Sequence, residues 1–142
     1  MKYTKNQLEE MLKSEDWEVR KAVASQCYKL ETLVNDEDWR VRLEVAIQGY
    51  GLKKLVNDER WAVRVAVARR GYGLGKLVYD EDCSVRIAVA EQRYALEKLI
   101  NDKHWAVRFA VAEQDYGLDR LINDEDPYIR LVAEEKLNKK GV

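Results

Sequence analysis

The chain has 142 residues, a length that suits one domain, and its 46% hydrophobic and 36% charged content with one Pro and seven Gly excludes a disordered or fibrous polypeptide. Twenty-five Lys and Arg against 26 Asp and Glu leave a net charge of -1, so no global field draws the chain to nucleic acid or to a membrane surface. No apolar run approaches the roughly 18 residues of a membrane span, and MKYTKNQLEE lacks the apolar core of a secretion signal, which predicts a cytoplasmic protein.

In chain order, Thr4 and Gln7 have the spacing of a capping box, predicting an extended first helix. From Leu8 a 22-residue repeat runs without interruption through blocks 8-29, 30-51, 52-73, 74-95, 96-117 and 118-139, each opening with Leu. No linker or second domain fits, so residues 1-142 are predicted to be one solenoid domain with capping end repeats. Within a block, segments such as LKKLV place leucines three apart, predicting a short helix of α or 3₁₀ type. Asn35, Asn57, Asn101 and Asn123 follow it, and Asn tolerates the left-handed conformation that ends a helix.

A longer helix of about ten residues should start after the acidic cluster, with Asp16, Asp38, Asp82 and Asp126 as N-caps and Pro127 at a first-turn position. Arg60 and His104 break that rule, so Asp58 or Asp102 must serve there or the cap is lost. Gly49 and Gly71 supply the stops. At 100° per residue Trp39, Leu43, Ala46 and Tyr50 share one stripe, with Val41 and Val45 nearly opposite. A helix gripped on two sides buries itself only within a stack of copies. The expectation is an all-α fold, an α-solenoid of six two-helix repeats wound as a right-handed superhelix. Glu134 and Asn138 replace the inner Ala and Tyr and mark a cap, whereas Lys21, placed on the same stripe at the other end, conflicts with that scheme.

The pattern Leu-x-x-Leu-Val-x-Asp-x-Asp-x-x-Val-Arg-x-x-Val-Ala resembles the leucine-rich repeat variant family and, more broadly, HEAT-like repeats, over nearly the whole chain, although the period is shorter than that family's. The resemblance implies a polar ladder in which an Asp is matched to the Arg six residues later: Asp36 with Arg42, Asp58 with Arg64, Asp80 with Arg86, Asp102 with Arg108 and Asp124 with Arg130. One member of that family carries an iron-sulfur cluster on an added cysteine-rich segment, which this chain lacks, so no cluster is expected.

Chemistry-bearing residues are few. Cys27 and Cys83 belong to no closely spaced ligand pair, and one His with very few Ser and Thr offers no acid-base or nucleophile constellation. No catalytic residue, metal or cofactor is expected. The Trp series Trp17, Trp39, Trp61 and Trp105 could stack bases, but its stripe favours core packing. The Arg series reads as the ladder rather than a phosphate track, the acidic clusters as caps rather than calcium loops, Gly71-Tyr72-Gly73 as a turn, and His104 as a surface residue.

What remains is the wedge of the longer helices where copies differ, as at Glu18, Arg40, Ala62, Ser84, Ala106 and Tyr128, and seven residues on at Ser25, Ile47, Arg69, Glu91, Glu113 and Glu135. Block three carries a charge of +4 and block two -3, so Arg40, Ile47, Arg69 and Arg70 are the candidate partner-binding residues. The reading is a monomeric, non-catalytic scaffold for another protein of acidic character. The alternative is nucleic-acid binding through that basic patch, against which Glu91, Glu113 and Glu135 interrupt any continuous track. A second protein-binding location is the short-helix face with Lys53, Lys54, Lys76 and Lys98.

Overall fold

A computed structural model describes residues 2–141. Among them the regular elements are all helical: α1 (Lys5–Leu12), α2 (Trp17–Ser25), α3 (Leu30–Leu33), α4 (Trp39–Ile47), α5 (Leu52–Leu55), α6 (Trp61–Arg69), α7 (Leu74–Leu77), α8 (Cys83–Glu91), α9 (Leu96–Leu99), α10 (Trp105–Glu113), α11 (Leu118–Leu121) and α12 (Pro127–Lys139). The chain forms two compact units that meet in sequence between Gly73 and Leu74. In the first, α2 packs on α4 and α4 on α6; in the second, α8 packs on α10 and α10 on α12. Each unit is a solenoid stack of the predicted helix pairs.

Local chemistry starts the helices as expected. Thr4 and Gln7 form a reciprocal capping box, Asp16, Asp38, Asp82 and Asp126 each accept an amide two residues on, and Pro127 stands at the start of α12. At His104 the cap is not lost: its Nδ1 accepts the Ala106 amide at 3.1 Å. Arg60 makes no side-chain cap, and Asp58 accepts the Arg60 amide, bracing the turn rather than the helix.

The short helices are single α-turns. In α3 the Val34 amide donates to Leu30 O at 2.9 Å, and the segment tightens behind it with Asn35 donating to Thr32 O and Asp36 to Leu33 O. The Asn residues are not left-handed, contrary to expectation. Left-handed backbone sits instead at the far end of the repeat, in Gly49 and Gly51 flanking Tyr50. There the Tyr50 amide donates to Val45 O and the Gly49 amide to Ala46 O, the Schellman pattern. Gly51 is close-packed as well, since a Cβ would lie 2.4 Å from Val34 Cγ2. Cys27 and Lys29, and Arg93 and Ala95, hold the same left-handed pair without glycine and so carry local strain.

The core of each unit is a column of equivalent residues. Leu33, Leu55, Leu77, Leu99 and Leu121 from the short helices are buried, facing Val41, Val45 and Ala46 and their equivalents on the longer ones. Each such leucine contributes on the order of 1.5 to 3 kcal/mol by burial. The stripe predicted to form a second grip is different: Ala46 is buried, Trp39 and Leu43 are half-buried and Tyr50 is exposed. The stripe runs along the border of the core, with one edge wet.

That border resolves the conflict between Lys21 and Glu134. Ala24, Ala46, Ala68, Ala90 and Ala112 are fully buried at the position where Glu134 is exposed, so this position faces the following repeat. Lys21 stands at a different one, equivalent to the half-exposed Leu131, and points along the wedge. Only Glu134 reports an end.

The polar ladder exists, with a connectivity different from the one the resemblance implied. Arg42 Nε and Nη2 grip the two oxygens of Asp58, one repeat on, at 2.7 and 3.1 Å, while Nη1 donates to the main-chain oxygens of Asp36 and Glu37 at 2.7 and 3.1 Å. Thus Asp36 gives Arg42 its carbonyl, not its carboxylate. The same bidentate rung joins Arg20 to Asp36, Arg86 to Asp102 and Arg108 to Asp124. Asp58 also accepts the Arg60 amide, and every other rung Asp braces its own turn likewise. Ser14 makes the bond to Asp16 N with its hydroxyl, sufficient where no preceding rung arginine asks for a carboxylate.

Arg20, Arg42, Arg86 and Arg108 are buried and held above their ordinary pKa, first by the bond to the rung carboxylate, against the opposing effect of burial. For Asp102 and Asp124 burial is the largest influence and would raise the pKa, but the Arg86 or Arg108 bond, the amide bond from His104 or Asp126 and the nearby positive charge together outweigh it, so both sit below the usual carboxylate value. Among the described residues no buried side-chain nitrogen or oxygen lacks a hydrogen-bond partner.

Candidate functional site

On a nine-residue helix such as α4, Trp39, Arg40, Leu43 and Ile47 fall within about 100° of arc, on the side away from Val41 and Val45. The equivalent face carries Ile47 and Trp61 in the first unit and Trp105, Tyr128 and Leu131 in the second, all 44 to 54% exposed. The expectation that the tryptophans pack in the core therefore fails for Trp61 and Trp105. Trp17 and Trp39 are half-buried, and a cation covers each: the Arg40 guanidinium lies 3.7 Å from the Trp17 ring centroid and Arg60 lies 4.9 Å from that of Trp39.

The four candidate residues divide into two groups. Ile47 and Arg69 occupy equivalent last positions of the adjacent helices α4 and α6, and Arg70 is the C-cap beside Arg69. Arg70 is exposed and lays its guanidinium against Gly49, where a Cβ would fall 2.5 Å from Nη2. Arg40 is seven residues from Ile47, about 10 Å along the helix at 1.5 Å per residue. It is also engaged: Nε and Nη2 donate to Asp38 Oδ1 and Oδ2 at 2.9 and 2.6 Å. Foremost through that bond, Arg40 lowers the Asp38 pKa from 3.8 to about 2, while the carboxylate raises that of Arg40. Glu44, considered as a neutralising partner for Arg40, instead accepts from Gln48 at 2.7 Å.

Sequence reasoning missed Trp61, Trp105, Tyr128 and Leu131 as surface groups. The available signal was the residue one repeat later at the Arg40 position: Tyr128 is large there but stacks on Phe109, with ring centroids 5.6 Å apart. Cations of the short helices, read from sequence as a second protein-binding face, are partly engaged with other repeats. Lys54 donates to Asn35 Oδ1 and Arg120 to Asn101 Oδ1, each reaching back one repeat, and Lys98 lies 4.5 Å over the Tyr79 ring. Asn35 and Asn101, two of the asparagines expected to end helices, are thus acceptors between repeats. His104, expected at the surface, is half-buried and stacked beside Trp105 at 6.0 Å.

Among the described residues, no group of three or more His, Cys, Asp or Glu could hold a metal ion, and no helix is long and apolar enough to cross a membrane. No family model, curated protein or solved structure matches this chain.

Proposed function

We propose that this chain is a non-catalytic scaffold that binds another protein on the exposed face of its longer helices. The observation that carries this reading is a set of large apolar side chains left about half exposed on the equivalent helix face of each unit, Ile47 and Trp61 in the first and Trp105, Tyr128 and Leu131 in the second. Aromatic and arginine side chains on a pre-organised surface supply most binding energy at protein interfaces. The buried ladder behind them holds the helices, so little ordering is lost on association. Kinship with the leucine-rich repeat variant and HEAT-like repeats is part of the proposal, supported by the shared Leu-x-x-Leu and Val-Arg-x-x-Val-Ala spacing. A monomer in the cytoplasm is the proposed state, and the two free cysteines Cys27 and Cys83 suit a reducing compartment.

One observation favours the second reading, nucleic-acid binding. Lys53 and Lys54 on α5 and Arg69 and Arg70 at the end of α6 are exposed within one repeat. Arg40 adds little to it because Asp38 neutralises that charge.

The test is capture of protein partners from the native cell with the wild-type chain and with Ile47→Asp, Leu131→Asp and Arg40→Glu/Arg69→Glu variants whose circular dichroism is unchanged. A partner on this face should lose affinity by roughly thirtyfold. Binding unaltered in every variant would overturn the reading. Co-purifying nucleic acid that falls away steeply with salt would put the second reading in its place.

A further inference from the structure

Repeats one and two contain a built seat for a guanidinium. Arg40 lies on the Trp17 ring at 3.7 Å and bonds both oxygens of Asp38, whose Oδ1 also accepts the Arg40 amide at 2.9 Å. An aromatic face beneath and a carboxylate at the edge match a planar, delocalised cation with parallel donors.

Repeats five and six carry the same two parts. Trp105 opens α10 as Trp17 opens α2, and Asp126 caps α12 as Asp38 caps α4. The ladder holds these helix starts in the same register: Arg108 bonds Asp124 at 2.8 and 3.0 Å where Arg20 bonds Asp36 at 2.7 and 2.9 Å. The Asp126 amide donates to Asp124 Oδ1 at 2.8 Å, as the Asp38 amide does to Asp36 at 2.9 Å. Asp126 Oδ1 accepts the Tyr128 amide at 2.8 Å and the Ile129 amide at 3.4 Å, and Oδ2 has no hydrogen-bond or ion-pair partner among the described residues.

The guanidinium is missing, and His104 replaces Asp16 beside the tryptophan. Tyr128 stands at the Arg40 position and turns its ring onto Phe109, leaving Trp105 half exposed with the offset His104 ring as its neighbour. The surroundings favour a cation, since residues from Leu74 onward hold 11 Lys and Arg against 14 Asp and Glu, and exposed Glu125 adjoins Asp126.

We infer that Trp105 and Asp126 form a receptor for an arginine side chain of the partner protein. The inference rests on the protein-interaction reading and supplies the partner's chemistry at this end of the surface. Lysine fits less well, because a point cation cannot stack flat and bond a carboxylate twice.

The probe is N-acetyl-arginine amide, titrated into the full chain while the indole N–H resonances are followed by NMR. The Trp105 signal should shift saturably in the millimolar range, with the Trp17 signal, whose seat Arg40 fills, unmoved. Asp126→Asn keeps a competent N-cap and should weaken the response at least about tenfold. N-acetyl-lysine amide should bind at least about fivefold more weakly. Tyr128→Arg should fill the seat from within, moving the Trp105 signal without probe and abolishing the titration.

A Trp105 signal indifferent to the probe, or a response equal for lysine or in Asp126→Asn, overturns the seat. The two readings fail separately. Partner capture lost in Ile47→Asp with no probe response at Trp105 removes the seat and keeps the surface. A normal probe response in a chain that captures no protein keeps the seat and removes the surface.

Discussion

Arg40 and Arg42 lie two residues apart on α4, and each grips an aspartate with Nε and Nη2. Their settings differ. The Arg42 and Asp58 side chains are 10 and 5% exposed, whereas those of Arg40 and Asp38 are 38 and 18% exposed. The Arg42 pair joins successive repeats, while the Arg40 pair closes within one helix start. Geometry is therefore a poor guide to what an ion pair does here; burial and connectivity decide. Removing one member of a buried pair strands a desolvated charge, but water takes the place of a lost surface partner.

The largest effect expected from that contrast is for Arg42→Ala, which leaves Asp58 and two main-chain carbonyls without their donor. A loss of about 3 to 5 kcal/mol in denaturant-induced unfolding is expected. Arg40→Ala should shift the melting temperature by less than a quarter as much. Equal melting of the two variants would break the comparison.

The corners between repeats give an intermediate scale against which to set the ladder. Gly117 has φ +61°, and a Cβ would lie 2.3 Å from Ile100 Cδ1, so Gly117→Ala should cost about 1 to 2 kcal/mol. Ala95 already holds the equivalent left-handed conformation at φ 51°. Ala95→Gly should be stabilising by up to about 1 kcal/mol, since relieved strain exceeds the added freedom of the unfolded chain. Thermal scans of both variants check the signs. A corner variant as damaging as Arg42→Ala would mean that the corner, not the ladder, limits the stack.

Acid gives the smallest and most discriminating effect. Asp38 has its folded pKa lowered, so its contribution is complete above the unfolded value near 3.8 and disappears as pH falls toward about 2. Asp102 and Asp124 are lowered too and act in the same direction. Stability measured from pH 5 down to 2 should therefore fall. Arg40→Ala should flatten the part of that fall due to Asp38, whereas Arg108→Ala should remove the part due to Asp124 and lower stability at every pH, because burial of Asp124 is then opposed only by the Asp126 amide and the remaining positive charge. Identical acid limbs in the two variants would sink the distinction between surface and ladder pairs.

The repeat boundaries, the two helices per repeat, the capping aspartates, the Thr4–Gln7 box and the Pro127 start could all be read from residue order. Each depends on partners two to four residues apart, a spacing at which the backbone leaves few alternatives. The fully buried Val41 and Val45 were legible for the same reason, through helical period. Of the candidate site, only the location of the wedge and its variable positions could be read that way.

Partnerships between repeats required the tertiary structure. Arg42 has Asp36 six residues before it and Asp58 sixteen after it. Spacing favours the first, but stacking brings the second carboxylate to the guanidinium and leaves the first to brace its own turn. Asn35 looked like a helix stop until packing brought Lys54 to it. Trp17 and Trp105 are the same residue at the same register, one capped by Arg40 and the other left half exposed because Tyr128 turned to Phe109. Local hydrogen bonding is written along a few residues and sequence determines it; exposure and charge pairing depend on the side chain that the next repeat delivers through space.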